Sequence, residues 1–147
     1  MSVGYLLNAS AISGMDKFMS LARVAAGSCP EEDRLPASVL SDSQLITRAQ
    51  QLFPDKPYCL VRDWVLVDVD DHESLLLPEG VKPRVVFAGK VVDDQAERFH
   101  RPRWLRSSFE VSFVEDCFFE SMNTVYVLAG GGARASCGWI ILNGSFW

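Results

Sequence analysis

The sequence predicts an α+β fold in which two N-terminal helices pack on a four- to five-stranded antiparallel sheet. Two observations favour it: helical periodicity ends before Pro54, and β-forming segments joined by short connections occupy the rest of the chain. Because such connections leave no room for a crossover helix, consecutive strands should pair antiparallel as a meander. Its 147 residues, 48% hydrophobic and 22% charged, are typical of one soluble globular domain. We place an N-terminal helical extension and linker at 1–40 and the α+β domain at 41–147.

The two helices are predicted from apolar spacing and from end signals. In 15–26 the apolar residues fall at i, i+3, i+4, i+7 and i+10, which lays one stripe along a helix. The second helix should begin with a capping box formed by Ser41 and Gln44. It should end at Phe53, because Pro54 disfavours helical geometry in the residue before it.

Four segments are predicted as strands, namely 58–69, 84–92, 108–114 and the part of 118–132 centred on 125–128. Alternation in the first strand predicts two faces, one with Val61, Val65, Val67 and Val69, the other with Arg62, Trp64, Leu66 and Asp68. The third strand alternates Phe109, Val111 and Phe113 with a polar face of Ser108, Glu110 and Ser112. Glu115 and Asp116 should form a hairpin turn, and 125–128 should be the central strand.

The apolar tail 138–147, GWIILNGSFW, has no assigned place in this sheet. Its aromatic and branched side chains are too apolar to be left in water. The tail should therefore add a fifth strand, lie across an edge, or form the contact of a homo-oligomer.

Composition and cysteine spacing exclude several functional classes. A net charge of -5 argues against generic affinity for nucleic acid or an anionic membrane. No segment approaches the ~20 apolar residues of a membrane span, and the first charged residue is Asp16, so the chain lacks the basic start of a secretory signal. No CxxC pair and no His at zinc-ligand spacing occur. We expect a cytoplasmic protein without a metal or cofactor.

The segment 98–106 is the first candidate binding site. Arginine and aromatic side chains are favoured anchors of protein interfaces, and the chain has a surplus of them, to which Trp64 also belongs. The residues expected to contact a partner protein are Arg101, Arg103, Trp104 and Arg106. The same mixture suits single-stranded nucleic acid, although three carboxylates just before the segment cancel much of its charge. Nucleic-acid binding through 98–106 is therefore kept as an alternative.

The glycine run after the fourth strand is the second candidate site. Gly130, Gly131, Gly132 and Arg134 would suit a phosphate, because backbone N–H groups can form an anion-binding nest beside a cation. Neither of the common phosphate-loop motifs is present, and no helix is predicted after the run, which favours a turn at a strand end. A small nucleotide-binding module or enzyme with Ser107 or His100 nearby remains the alternative.

Three segments resemble an uncharacterised family of small bacterial proteins, a domain-of-unknown-function group. They are PDKPYCLVRDWVLVDVD at 54–70, RPRWLRSSFEVSF at 101–113 and FFESMNTVYVLAGGGARAS at 118–136. The similarity covers about 42–136 and implies a bacterial or prophage origin, with no activity, cofactor or site to transfer. No catalytic signature surrounds any Ser, Cys or His. We expect an accessory or regulatory protein that binds another protein, without catalysis.

Overall fold

A single curled mixed sheet of eight strands dominates the structure. The computed structural model describes residues 31–70, 73, 75–97 and 105–138. Among these residues there is one α-helix, α1 (Asp42–Leu52), and a 3-10 turn at Glu31–Asp33. The strands are β1 (Arg34–Leu35), β2 (Tyr58–Val69), β3 (Arg84–Asp94), β4 (Leu105–Arg106), β5 (Ser112–Val114), β6 (Phe118–Glu120), β7 (Val125–Leu128) and β8 (Gly132–Cys137).

The predicted fold class is wrong. The described residues form one short helix on a mostly β structure, not two N-terminal helices on a small antiparallel sheet. The prediction assumed that short connections make every pairing antiparallel. Neighbours such as β2 and β3 do pair antiparallel, but β2 also pairs parallel with the distant strands β7 and β8. Segment 15–26, predicted as the first helix, lies outside the described residues, and so does the tail from residue 139 onward.

Helix α1 confirms the second predicted helix and its start signal. The Ser41 hydroxyl accepts a hydrogen bond from the Gln44 backbone N–H at 3.3 Å, and the Gln44 side chain accepts one from the Ser41 N–H at 2.9 Å. This reciprocal capping box satisfies two N–H groups that the helix itself leaves unpaired. Leu45 and Ala49 are buried and pack against the sheet, which fixes the helix on one face.

Strand β2 is the centre of the sheet. Along one edge it pairs antiparallel with β3. Along the other edge it pairs parallel first with β7, where Tyr58 is opposite Val125, and then with β8, where Val65 is opposite Ala133. Strands β7 and β8 therefore act as one interrupted strand beside β2. Beyond it, β6 and β5 continue the sheet from β7, β1 pairs with β8, and β4 pairs with β3.

The predicted faces of β2 are wrong on one side of Asp63. Val61 packs with Trp64 and Leu66 in one buried cluster, hereafter the Trp64 cluster, which also contains Phe119. Asp63 has a positive φ of 56°. This left-handed residue breaks the two-residue alternation, so Val61 faces the same side as Trp64. The opposite side of the β2–β7 pair packs against α1.

The third predicted strand is present only in part. Strand β5 covers Ser112–Val114, while Glu110 forms an isolated bridge with Lys82. Glu110 is fully buried, so its assignment to a polar face is wrong. The turn at Glu115 and Asp116 is confirmed by φ angles of 55° and 59°, the positive values that tight hairpin turns require.

Candidate functional site

The glycine run passes directly along the buried Trp64 side chain. The indole Nε1 donates hydrogen bonds to the carbonyl oxygens of Ala129 at 3.2 Å and Gly130 at 3.1 Å. A Cβ at Gly132 would lie closer than 3.0 Å to the indole ring carbons, and Gly130 has a φ of 72°. The glycines thus permit a close approach of backbone to indole and a left-handed turn between β7 and β8.

Both arginines near the glycine run are paired with carboxylates. Arg134 Nε donates to Asp68 Oδ2 at 3.1 Å, and Arg62 Nη2 donates to Asp42 Oδ1 at 2.7 Å. The Arg62 guanidinium lies nearest to the turn, since a Cβ at Gly130 would be 3.2 Å from its Nη1. A phosphate would have to compete with these carboxylates for either cation. Phosphate binding at Gly130–Gly132 and Arg134 stays a prediction, and the pairing of both arginines with carboxylates does not favour it.

Ser107 forms hydrogen bonds that link neighbouring segments of the sheet, and it is not accessible to a substrate. It is fully buried; its hydroxyl accepts a hydrogen bond from the Val86 N–H at 2.8 Å and donates one to the Ser108 carbonyl at 2.7 Å. Its single hydroxyl hydrogen is already engaged by the Ser108 carbonyl and is not directed toward a catalytic base. His100, the other group suggested for an enzyme, lies outside the described residues.

The arginine and tryptophan segment leads into an edge of the sheet. Of its four predicted contact residues, only Arg106 belongs to the part of the chain that the structure describes. Arg101, Arg103 and Trp104 lie outside that part. Arg106 belongs to β4, which pairs with β3 through Arg106–Phe87 and Leu105–Ala88. Arg106 is half-buried, and burial lowers the pKa of its guanidinium. Trp64, which the sequence analysis also counted among the possible interface residues, is 1% exposed and belongs to the core.

A small apolar pocket, which no sequence motif indicates, lies between β1 and β5. It has a volume of about 180 Å³, and the described residues that line it are Leu35, Pro36, Phe113 and Asp116. Leu35 and Phe113 are half-buried and pack on the Trp64 cluster. The pocket brings β1 close to β5, although these two strands are far apart in the sequence and stand at opposite ends of the strand order β1-β8-β2-β7-β6-β5.

A buried ion pair fixes the aromatic wall of this pocket. Arg84 Nε donates to Glu110 Oε1 at 2.6 Å, and the Arg84 guanidinium carbon lies 5.2 Å from the centre of the Phe113 ring. Phe119 meets the same ring edge-on at 6.5 Å. Burying two charges is costly unless they are paired and hydrogen-bonded. Glu110 Oε1 meets this condition through Arg84, whereas Oε2 has no hydrogen bond within the described structure and only an ion pair with Lys82 Nζ at 3.7 Å. The result is a Phe113 ring held from two sides.

The described part of the chain offers little to a metal or a nucleophilic mechanism. No group of three His, Cys, Asp or Glu side chains that could hold a metal occurs within it. Burial raises the pKa of the Cys117 thiol to about 11, so this thiol is protonated and unreactive at neutral pH. None of the described helices is long and apolar enough to cross a membrane.

Over the residues that the structure describes, fold and site together define a mostly β architecture with a curled mixed sheet, a capped helix and a small apolar pocket at the sheet edge. A family model described as Domain of unknown function (DUF6957) matches residues 36–139. The chain belongs to this family, which confirms the resemblance to a domain-of-unknown-function group. Comparison with curated proteins and with solved structures finds no match.

Proposed function

We propose that this protein acts by binding another protein, as a cytoplasmic accessory or regulatory factor of bacterial or phage origin. The observation that supports the proposal is the position of β4. This two-residue strand pairs only with β3 among the described strands, and the segment rich in arginine and tryptophan leads directly into it.

An edge strand leaves backbone donors and acceptors on its outer side, where another chain can pair with them. Arg106 is half-buried beside this edge, so part of its side chain is already covered by the protein itself. Arginine and tryptophan are the residues that most often dominate binding energy at interfaces. The combination suits a protein partner that has an acidic surface.

The test compares copurification by tagged wild type and by Arg101→Ala/Arg103→Ala/Trp104→Ala, expressed in the source cell. We expect the partner recovered with the wild type to be lost by at least about tenfold, which corresponds to one or two interface anchors. The matched control is Lys90→Ala, which removes an exposed cation of β3 and should leave recovery unchanged.

Thermal unfolding of the triple variant separates binding from folding. An unchanged melting temperature with lost recovery supports an interface at this segment. Unchanged recovery would show that the segment does not contact the partner. A melting temperature lowered by many degrees would show that these side chains belong to the core, and the interface would have to be abandoned there.

A further inference from the structure

We infer that the pocket between β1 and β5 receives one aromatic side chain of the partner protein, followed in the partner's sequence by a lysine or arginine that pairs with Asp116. This inference rests on the proposed function and names the chemistry that the partner presents. The described residues that line the pocket, Leu35, Pro36, Phe113 and Asp116, are not members of the predicted contact segment 98–106.

The size of the pocket selects the occupant. At about 180 Å³ it is close to the volume of ~150 Å³ at which an engineered apolar cavity binds benzene. A single aromatic side chain, with one ring or the two fused rings of indole, therefore fits, whereas an extended ligand would not be enclosed. Leu35, Pro36 and Phe113 offer apolar walls, which favour a ring over a polar group of the same size.

The aromatic wall of the pocket is already in place before anything binds. Phe113 is held by Arg84 over one face and by the edge contact with Phe119. Arg84 is in turn fixed by the fully buried Glu110. A preformed wall lowers the entropic cost of binding, which is the main obstacle for a site that buries one side chain.

The charge at the rim selects the neighbour of that ring. Glu115 is held by Arg48 in a two-bond pair, with Nη2 to Oε2 at 2.6 Å and Nε to Oε1 at 3.2 Å. The adjacent Asp116 is exposed, and it makes no ion pair with any other residue that the structure describes. Its carboxylate therefore remains available at the rim, and the net charge of -5 attracts a basic segment.

The experiment is an amide NMR titration of the full chain with three capped dipeptides, N-acetyl-Trp-Lys-amide, N-acetyl-Ala-Lys-amide and N-acetyl-Trp-Glu-amide. We expect saturable shifts confined to Leu35, Phe113 and Asp116 with Trp-Lys and none with Ala-Lys. Trp-Glu should bind more weakly, because its carboxylate meets Asp116. The substitution Asp116→Asn should lower the affinity for Trp-Lys by about two- to fivefold, the usual worth of an exposed charge pair.

A pocket-filling variant provides the steric control. Pro36→Trp places a ring at the exposed rim and should abolish the Trp-Lys shifts, whereas Ala37→Trp puts the same side chain one residue further along and should leave them intact. Both positions are exposed, so neither substitution disturbs the core.

Several outcomes would overturn the inference: shifts elsewhere on the chain, equal affinity for all three dipeptides, or full binding by Pro36→Trp. None of these outcomes concerns the segment 98–106. The proposed function would therefore stand if the Arg101→Ala/Arg103→Ala/Trp104→Ala variant still loses its partner. Conversely, a pocket that binds Trp-Lys selectively would survive a failure of that segment as an interface.

Discussion

Replacing Gly132 by alanine tests whether the glycine run exists for the indole of Trp64. The new Cβ would lie closer than 3.0 Å to ring carbons Cδ2, Cε2 and Cε3, whereas carbon atoms in favourable contact are about 3.5–4.0 Å apart. Backbone or indole must therefore move by at least about 0.5 Å. Trp64 is 1% exposed, so the surrounding core resists that movement.

The expected loss of stability has two parts. Overpacking a filled core costs about 1–3 kcal/mol. A shifted indole would also weaken the hydrogen bonds from Nε1 to Ala129 and Gly130, each worth about 0.5–1.5 kcal/mol. We expect Gly132→Ala to lower the free energy of unfolding by about 2–4 kcal/mol.

The assay is urea unfolding followed by far-UV circular dichroism, since four tryptophans would mix their signals in fluorescence. Gly80→Ala is the matched control, because Gly80 has a φ of 83° but nothing within 4 Å of an added Cβ. Gly80→Ala should lower the free energy of unfolding only by the cost of holding an alanine in the left-handed region, about 1–2 kcal/mol. Trp64→Phe should relieve part of the Gly132→Ala loss. If Gly132→Ala lowers the free energy of unfolding by less than Gly80→Ala does, the close-approach explanation is refuted.

Three further measurements probe other parts of the fold. Ser41→Ala removes the N-cap of α1 and should cost about 1 kcal/mol in urea unfolding, whereas Ser43→Ala should cost little. Arg84→Met leaves Glu110 buried without its main partner and should cost about 3–5 kcal/mol, much of which Arg84→Met/Glu110→Leu should restore; no restoration would contradict the ion-pair account. Because the pKa of Cys117 rises to about 11 on folding, the unfolded chain releases this proton first. The free energy of unfolding should therefore fall as pH rises from about 9 to 11, and Cys117→Ala should flatten that slope.

The elements with strong local signals could be predicted from the sequence. Strand β2 has the predicted bounds, Tyr58–Val69, because a long run of β-branched and aromatic residues follows a proline-containing turn. Helix α1 starts where Ser41 and Gln44 indicate, since a capping box is a purely local arrangement. The hairpin turn at Glu115 and Asp116 is equally local.

The failures all depend on residues far apart in sequence. Nothing beside Asp63 forces a positive φ, so the reversal of faces along β2 is invisible in its alternation pattern. Glu110 is buried because Arg84, on another strand, pairs with it. The pocket needs Leu35 and Phe113, which are 78 residues apart in the sequence (113 minus 35). Alternation reports which residues share a face, but not which strands become neighbours.

The parallel pairing of β2 has a consequence for biosynthesis. Tyr58 pairs with Val125 and Val69 with Cys137, almost half the chain later. At about 5–20 residues per second, a ribosome needs roughly 3–15 seconds to supply β7 and β8 after β2 has been made. A β2–β3 hairpin formed during that interval would leave the other edge of β2 unpaired, so the nascent chain should depend on a holding chaperone more than its modest size suggests.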